Sequence, residues 1–479
     1  MKRTPAFYAL LVAGCLIAGP AHAARAPANG FPPNTLAGIY ELAVENDLTV
    51  AQARAQLRVG REERTLARAG LLPQIQGGYT YSESDTSSRS RFAIGDQLVL
   101  QRTDAEADTD TWEVSLRQPL FDLPAWFRFQ QGVELSNQAE ATFSVAQQEL
   151  IRRTVTAYFE VLRASANVRA SEAQESALRA QLDQVRQRFE VGMVAITDVH
   201  EAQAGYDLAV AQRITDEGQL GISLELLSVL TGRAHRDLWV LSEEFPVVNP
   251  EPADSASWVA FAERNNFDIK AAAFARDAAQ RGSRAATSEH LPRLDLLLSY
   301  TDTSSDVVQD NLVSGVRTDF PTAQDRGLVA LNLTVPVYTG GRTSASRRQA
   351  VARHDTQIAA YQGTVRSVTQ ETRASHVRVL SDVARTRARA QAVTSTRSAL
   401  EAAEVGYNVG TRNVVDVLRA QQDFFSAVRD YENSILDYVV NLVRLKRQAG
   451  TLSPEDVYEL NRWLGEASAA EADNAASAP

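Results

Sequence analysis

Four short runs along the chain alternate apolar and polar residues with a period of two. In the first, Ile75, Tyr79 and Tyr81 alternate with Gln74, Gln76, Gly78 and Thr80; in the second, Trp112, Val114 and Leu116 alternate with Glu113, Ser115 and Arg117. The third sets Leu294, Leu296, Leu298 and Tyr300 against Arg293, Asp295, Ser299 and Thr301, with Leu297 as the exception. The fourth sets Val329, Leu331, Leu333, Val335 and Val337 against Ala330, Asn332 and Thr334. Such alternation predicts strands with one apolar and one polar face. Each run covers about 9–11 residues, the length with which a tilted barrel strand crosses a bilayer. Between the paired runs, segments 82–110 and 302–326 are rich in Asp, Ser and Thr. They read as long polar loops of the kind found at the extracellular end of a barrel.

The rest of the pattern is helical. Stretches 124–191 and 342–409 predict helices of roughly 65 residues, about 100 Å long at 1.5 Å per residue. An ordinary globular helix has about 11 residues, so these two must lie against other helices along their length. In the last helix apolar residues recur at steps of three and four: Val414, Val417, Phe424, Val428, Tyr431, Ile435, Tyr438, Leu442 and Leu445, interrupted by Gln421. That spacing is a coiled-coil seam, and Leu178, Leu182, Val185 and Phe189 repeat it. Shorter helices are predicted over 36–70 and 256–289, each ending near a Leu-Pro step, where proline disfavours helix in the residue before it. The two shorter helices of each half sum to the length of one long helix and would lie end to end beside it.

The halves are copies. Phe189-Glu190-Val191-Gly192, ending at Thr197-Asp198-Val199, matches Tyr407-Asn408-Val409-Gly410, ending at Val415-Asp416-Val417, at an offset of 218 residues. Gln203 and Gln421 keep that offset, as do Gly232 and Gly450. The order helix, strand, loop, strand, long helix, turn, helix occurs twice, in repeats 24–245 and 256–460. A linker at 246–255 carries Pro246, Pro250 and Pro252. The acidic, alanine-rich end, 461–479, reads as disordered.

Composition narrows the function. The 479 residues carry 49 Lys and Arg against 59 Asp and Glu, a net charge of -10, which argues against a nucleic-acid partner. Mean hydropathy is -0.24, which suits a β-barrel membrane protein better than a bundle of spanning helices. Residues 1–23 have the pattern of a signal peptide: Lys2 and Arg3, an apolar stretch, and a small-x-small site at Ala21-His22-Ala23. Val12-Ala13-Gly14-Cys15 also fits a lipoprotein box, so cleavage after Ala23 and lipidation at Cys15 are alternatives. The apolar residues after Cys15 favour the first. The six histidines show no metal-ligand spacing. No phosphate loop or catalytic set is present, so neither an enzyme nor a cofactor is expected.

Four strands cannot close a barrel, and an open sheet edge in lipid leaves backbone groups unpaired at several kcal/mol each. Strands that cross a membrane here must therefore be completed by other chains. Three chains supply twelve strands, an even number within the known range, and the long helices would continue the tube below.

The turns VGMVAITDVHEAQAGYD and YNVGTRNVVDVLRAQQD, with the duplicated order around them, resemble the TolC family of outer-membrane channel proteins over about 36–460. The resemblance implies a mainly α fold with transmembrane β: a homotrimer with a twelve-stranded barrel, four strands per chain, continued by a long α-helical barrel. It implies an outer-membrane location reaching into the periplasm, and a passive exit duct for type I protein secretion or small-molecule efflux. Its partners would be a periplasmic adaptor and an inner-membrane transporter. Position by position, Thr197 and Asp198 would bond Tyr407 and Arg412 as a periplasmic gate. Asp416 falls at the pore constriction. Arg419 stands where the family has a second aspartate, and Ile435 where it has an arginine that ties neighbouring protomers. Val191, Gly192, Val409, Gly410 and Thr411 match the turns that receive the adaptor. A competing reading is a periplasmic coiled-coil adaptor or scaffold without a pore, against which the two hairpins and four amphipathic strands count.

Overall fold

The computed structural model describes residues 30–466 except 95–96, 243 and 312–314. The expected leader lies outside them. In chain order the first half contains α1 (Leu36–Asn46), α2 (Leu48–Ala69), β1 (Gln74–Ile94), β2 (Gln97–Phe121), α3 (Leu123–Glu190), α4 (Ile196–Thr231) and a short β3 (Val240–Leu241). The second half contains α5 (Ser255–Asn265), α6 (Phe267–Ser288), β4 (Arg293–Asn311), β5 (Val316–Thr334), α7 (Arg342–Asn408) and α8 (Val414–Gln448). It ends with α9 (Pro454–Asn461) and β6 (Leu464–Gly465).

Each half opens with two helices where one was expected. The breaks fall at Asp47 and Asn266, which adopt extended backbone and cap the helix that follows. Asp47 accepts from the Val50 N–H, and Asn266 from the N–H groups of Asp268 and Ile269. Helical spacing of apolar residues runs on through both breaks and conceals them; the short polar side chain at the cap is what turns the chain.

The strands are also longer than the alternating runs, at 21, 25, 19 and 19 residues. The described residues of segments 82–110 and 302–326 do not form the expected long loops. They continue the antiparallel ladders, from Gln74↔Arg117 to Ile94↔Gln97 and from Arg293↔Thr334 to Asn311↔Val316. Backbone pairing needs no apolar side chain, so a Thr- and Ser-rich stretch pairs as well as an apolar one while looking like a loop in hydropathy. The sheet order is β1-β2-β4-β5. Its register gathers the apolar side chains on one face: Tyr79 stands opposite Trp112, Val114 opposite Tyr300, and Leu298 opposite Val329. The other face carries Gln76, Thr80, Ser115 and Thr301, with Arg117 paired to Asp295 at 3.1 Å. The outer edges of β1 and β5 have no partner strand among the described residues.

Below the sheet, α2 and α4 both run along α3, and α8 along α7, while α6 lies between the two long helices. Partway along the helices sits the main core. It draws Leu36 and Ile39 from α1, Tyr158 and Phe159 from α3, Val379 and Val383 from α7, and Val439 and Val443 from α8. The seam of α8 is buried at Val414, Val417, Gln421, Tyr438 and Leu445, and half-buried at Phe424, Val428, Tyr431, Ile435 and Leu442. Order extends past 460: the Ala37 N–H donates to Asn461 Oδ1 at 3.0 Å, and β6 pairs with β3. Trp463 stacks edge-on against Phe245, and Leu464 is buried. These two apolar anchors hold 461–466 ahead of the acidic end, whose residues 467–479 lie outside the described ones.

Candidate functional site

The far ends of the two helical hairpins form the candidate site. Val191 closes α3 and Val409 closes α7, each followed by a glycine in the left-handed region, Gly192 at φ 75° and Gly410 at φ 78°. Such backbone favours glycine and reverses the chain within a few residues. The Gly192 N–H donates to Phe189 O at 2.8 Å and the Met193 N–H to Arg188 O at 2.8 Å. In the second turn the N–H and Oγ1 of Thr411 both donate to Gly406 O. All five residues expected to form docking turns are exposed here, with Val191 72% and Val409 69% accessible.

Behind the turns all four helices share a small core: Leu182 and Val185 of α3, Ala202 of α4, Ala403 and Tyr407 of α7, and Val414 and Val417 of α8. The two hairpins of one chain are thus joined at their ends by apolar contact. Tyr407 is packed into this core with its hydroxyl buried and without a hydrogen-bond partner among the described residues. An unpaired buried hydroxyl costs about 1–3 kcal/mol. Asp198 and Thr197 stand in the first turn of α4, and Arg412 lies exposed against Gly406. The structure brings the four expected gate residues to one end of the molecule but forms neither the Asp198–Tyr407 nor the Thr197–Arg412 hydrogen bond.

Asp416 closes a capping box at the start of α8: its N–H donates to Asn413 Oδ1 at 2.9 Å, and its carboxylate accepts from the Asn413 N–H. Arg419 is exposed, and its side chain makes no ion pair or hydrogen bond among the described residues, so it does not pair with Asp416 within the chain.

Arg188, in the last turn of α3, was not singled out from the sequence. Its guanidinium lies 4.6 Å from the centroid of the Tyr407 ring, and Nη2 donates to Asn408 Oδ1 at 2.7 Å. It reaches from the first hairpin to the second. The duplication carries a signal for it: 218 residues on, the equivalent position is Gly406, and a side chain there would crowd Arg412 Cγ at 3.0 Å. One copy keeps an arginine at this height and the other makes room for one.

An amphipathic sheet borne on paired long helices that converge on two closed turns defines one protomer of a membrane channel. A family model described as outer membrane efflux protein matches residues 39–233 and 258–451, and the chain belongs to that family. It is 34% identical over 433 residues to the outer membrane protein TolC of Vibrio cholerae, covering 90% of this chain and 93% of that one. It is 30% identical to the alkaline protease secretion protein AprF of Pseudomonas aeruginosa, covering 87% and 85%. A crystal structure of CusC superposes with a TM-score of 0.71 at 17% identity, covering 87% of this chain and 92% of that one. The protein is therefore a TolC-family outer-membrane protein with a periplasmic extension, and its family is one of channels rather than enzymes. No cluster of metal-ligating side chains occurs among the described residues, nor does any helix long and apolar enough to span a membrane.

Proposed function

We propose that three copies close into one channel that serves as the outer-membrane exit duct of a tripartite export system. A periplasmic adaptor docks on the exposed turns at Val191, Gly192, Val409, Gly410 and Thr411, and an inner-membrane transporter supplies the energy. The duct itself is passive. The observation that carries this reading is the sheet: apolar on one face, polar on the other, and open at both edges within the chain. In lipid such edges must be paired. The names of the relatives, one a protease secretion protein, support type I secretion, efflux or both as the task.

The gate belongs at the tips. Buried hydroxyls are ordinarily bonded, so the unpaired Tyr407 hydroxyl supports a closed arrangement in which Asp198 accepts from it, with Arg412 donating to Thr197. At the constriction Asp416 and Arg419 would form adjacent rings of opposite sign rather than a purely negative filter.

Single-channel conductance in planar bilayers tests both parts. The wild type is expected to form small channels and the Tyr407→Phe/Arg412→Ser variant wider ones. Small channels unaltered by the substitutions would discard the gate and keep the pore. A folded protein with no conductance would return the scaffold reading.

A further inference from the structure

Beyond the apolar band the four strands keep alternating, and what alternates is charge. The ladder sets Glu83 opposite Asp108, Asp108 opposite Asp306, and Asp302 opposite Asp325. Directly opposed residues share a face, and every second residue returns to it. In the described parts of 82–110 and 302–326, every charged side chain except Arg326 falls on the face that also holds Tyr79, Trp112, Val114 and Tyr300. The opposite face of the same stretches carries Ser, Thr and Ala in the main. Its hydroxyls meet across the β2–β4 seam, Thr109 Oγ1 with Ser305 Oγ at 3.0 Å and Thr111 Oγ1 with Thr303 Oγ1 at 3.4 Å.

The apolar band decides which face is which. Lipid takes the apolar face of a barrel, and the lumen takes the polar one. On the lipid side the change from apolar to charged is marked by tyrosines, the usual residues of a membrane boundary. The Tyr79 hydroxyl donates to Asp110 and the Tyr81 hydroxyl to Asp108 at 3.1 Å. The paired strands run on past this boundary without changing face, because the β1–β2 and β4–β5 registers contain no shift.

We propose that the barrel projects beyond the lipid as a duct with two different walls, an acidic outer wall and an inner wall of hydroxyl and methyl groups whose one charged residue among the described ones, Arg326, lies at its base in the row that also holds Glu113. The exit therefore takes cationic and anionic cargo alike. This rests on the pore reading above and adds to it the class of cargo the duct admits. The carboxylates are set on the far side of the sheet from the lumen. At physiological ionic strength, charges separated by more than about 8 Å are largely screened, so the outer wall leaves permeating ions unbiased.

Cysteine substitution in the full-length channel tests this directly, because the native chain has a single cysteine, Cys15, in the expected leader. Thr109→Cys and Ser305→Cys place thiols on the inner wall, and Asp108→Cys and Asp306→Cys on the outer. Each variant is treated in planar bilayers with an anionic methanethiosulfonate, and the reversal potential is read under a salt gradient. Modification at 109 or 305 is expected to shift the potential toward cation selectivity. Asp108→Cys and Asp306→Cys are expected to match the wild type before and after treatment. A shift confined to 108 and 306 would overturn the proposal. So would no shift at any position when mass spectrometry shows every thiol modified and the channels conduct. Lack of conductance in the wild type itself would remove the pore reading first, and this proposal with it.

Discussion

Asp47 shows how much one side chain decides. It ends α1, caps α2, and receives both Nη atoms of Arg153 from α3 at 3.0 Å. Burial by itself would raise its carboxyl pKa, but the hydrogen bonds from Arg153, Thr49 and the Val50 N–H outweigh burial and hold it below the ordinary carboxylate value. Asp47→Ala removes a cap and leaves Arg153 without its partner. The expected loss is about 2–4 kcal/mol in chemical denaturation followed by circular dichroism. A depressed carboxylate pKa contributes stability that is fully present above the unfolded value, about 4, and is lost as pH falls through the folded value. The wild type should therefore lose its advantage over Asp47→Ala below about pH 4; an advantage that persists at lower pH would show the carboxylate charge to be irrelevant. The tips differ at this scale. Gly192 and Gly410 were legible because a reversal between helices needs them. The grip of Arg188 on Tyr407 and Asn408 was not, because it joins residues far apart in sequence and only the folded hairpins bring them together.

Between elements, small residues set the distances. A Cβ on Gly60 would lie 2.3 Å from Ala139 Cβ, and one on Gly132 would lie 2.8 Å from Glu63 O. Helices α2 and α3 therefore approach nearly backbone to backbone just below the sheet. Gly132→Leu should force them apart at a cost of about 1–3 kcal/mol, read as a lowered melting temperature of the purified protein. An unchanged midpoint would mean that the helix pair is free to separate there. The existence and order of the elements were legible because duplication repeated them and because the periods of two and three-to-four are distinct. Their ends were less so. The helix breaks at Asp47 and Asn266 depend on single caps inside unbroken apolar spacing. The upper strands have no apolar face to betray them, and Thr and Ser suit a ladder and a loop equally. Past 460, the acidic composition hid the anchoring of Trp463 to Phe245 and of Leu464 in the main core.

At the scale of the molecule, each chain supplies four strands above and four helical columns below: α3, α7, α2 with α4, and α8 with α5 and α6. Strands lie about 4.8 Å apart and tilt by about 40° in membrane barrels, so twelve of them enclose a backbone circle roughly 24 Å across. Eight, the yield of two chains, make a barrel just wide enough for its own side chains to fill. A single chain in lipid would leave two strand edges unpaired, at several kcal/mol for each exposed backbone group. The trimer is thus the smallest assembly that both closes the edges and leaves a lumen. Native mass spectrometry of the detergent-extracted protein should find three copies of the chain, which is 52.3 kDa before any processing, and no appreciable monomer. Band positions in unheated dodecyl sulfate gels should match that mass and collapse to one chain on boiling. A stable dimer would leave no room for cargo in the barrel and would remove the pore reading. A stable monomer inserted in bilayers would show that the edges of β1 and β5 are covered within the chain, against the open sheet that supports closure by neighbours.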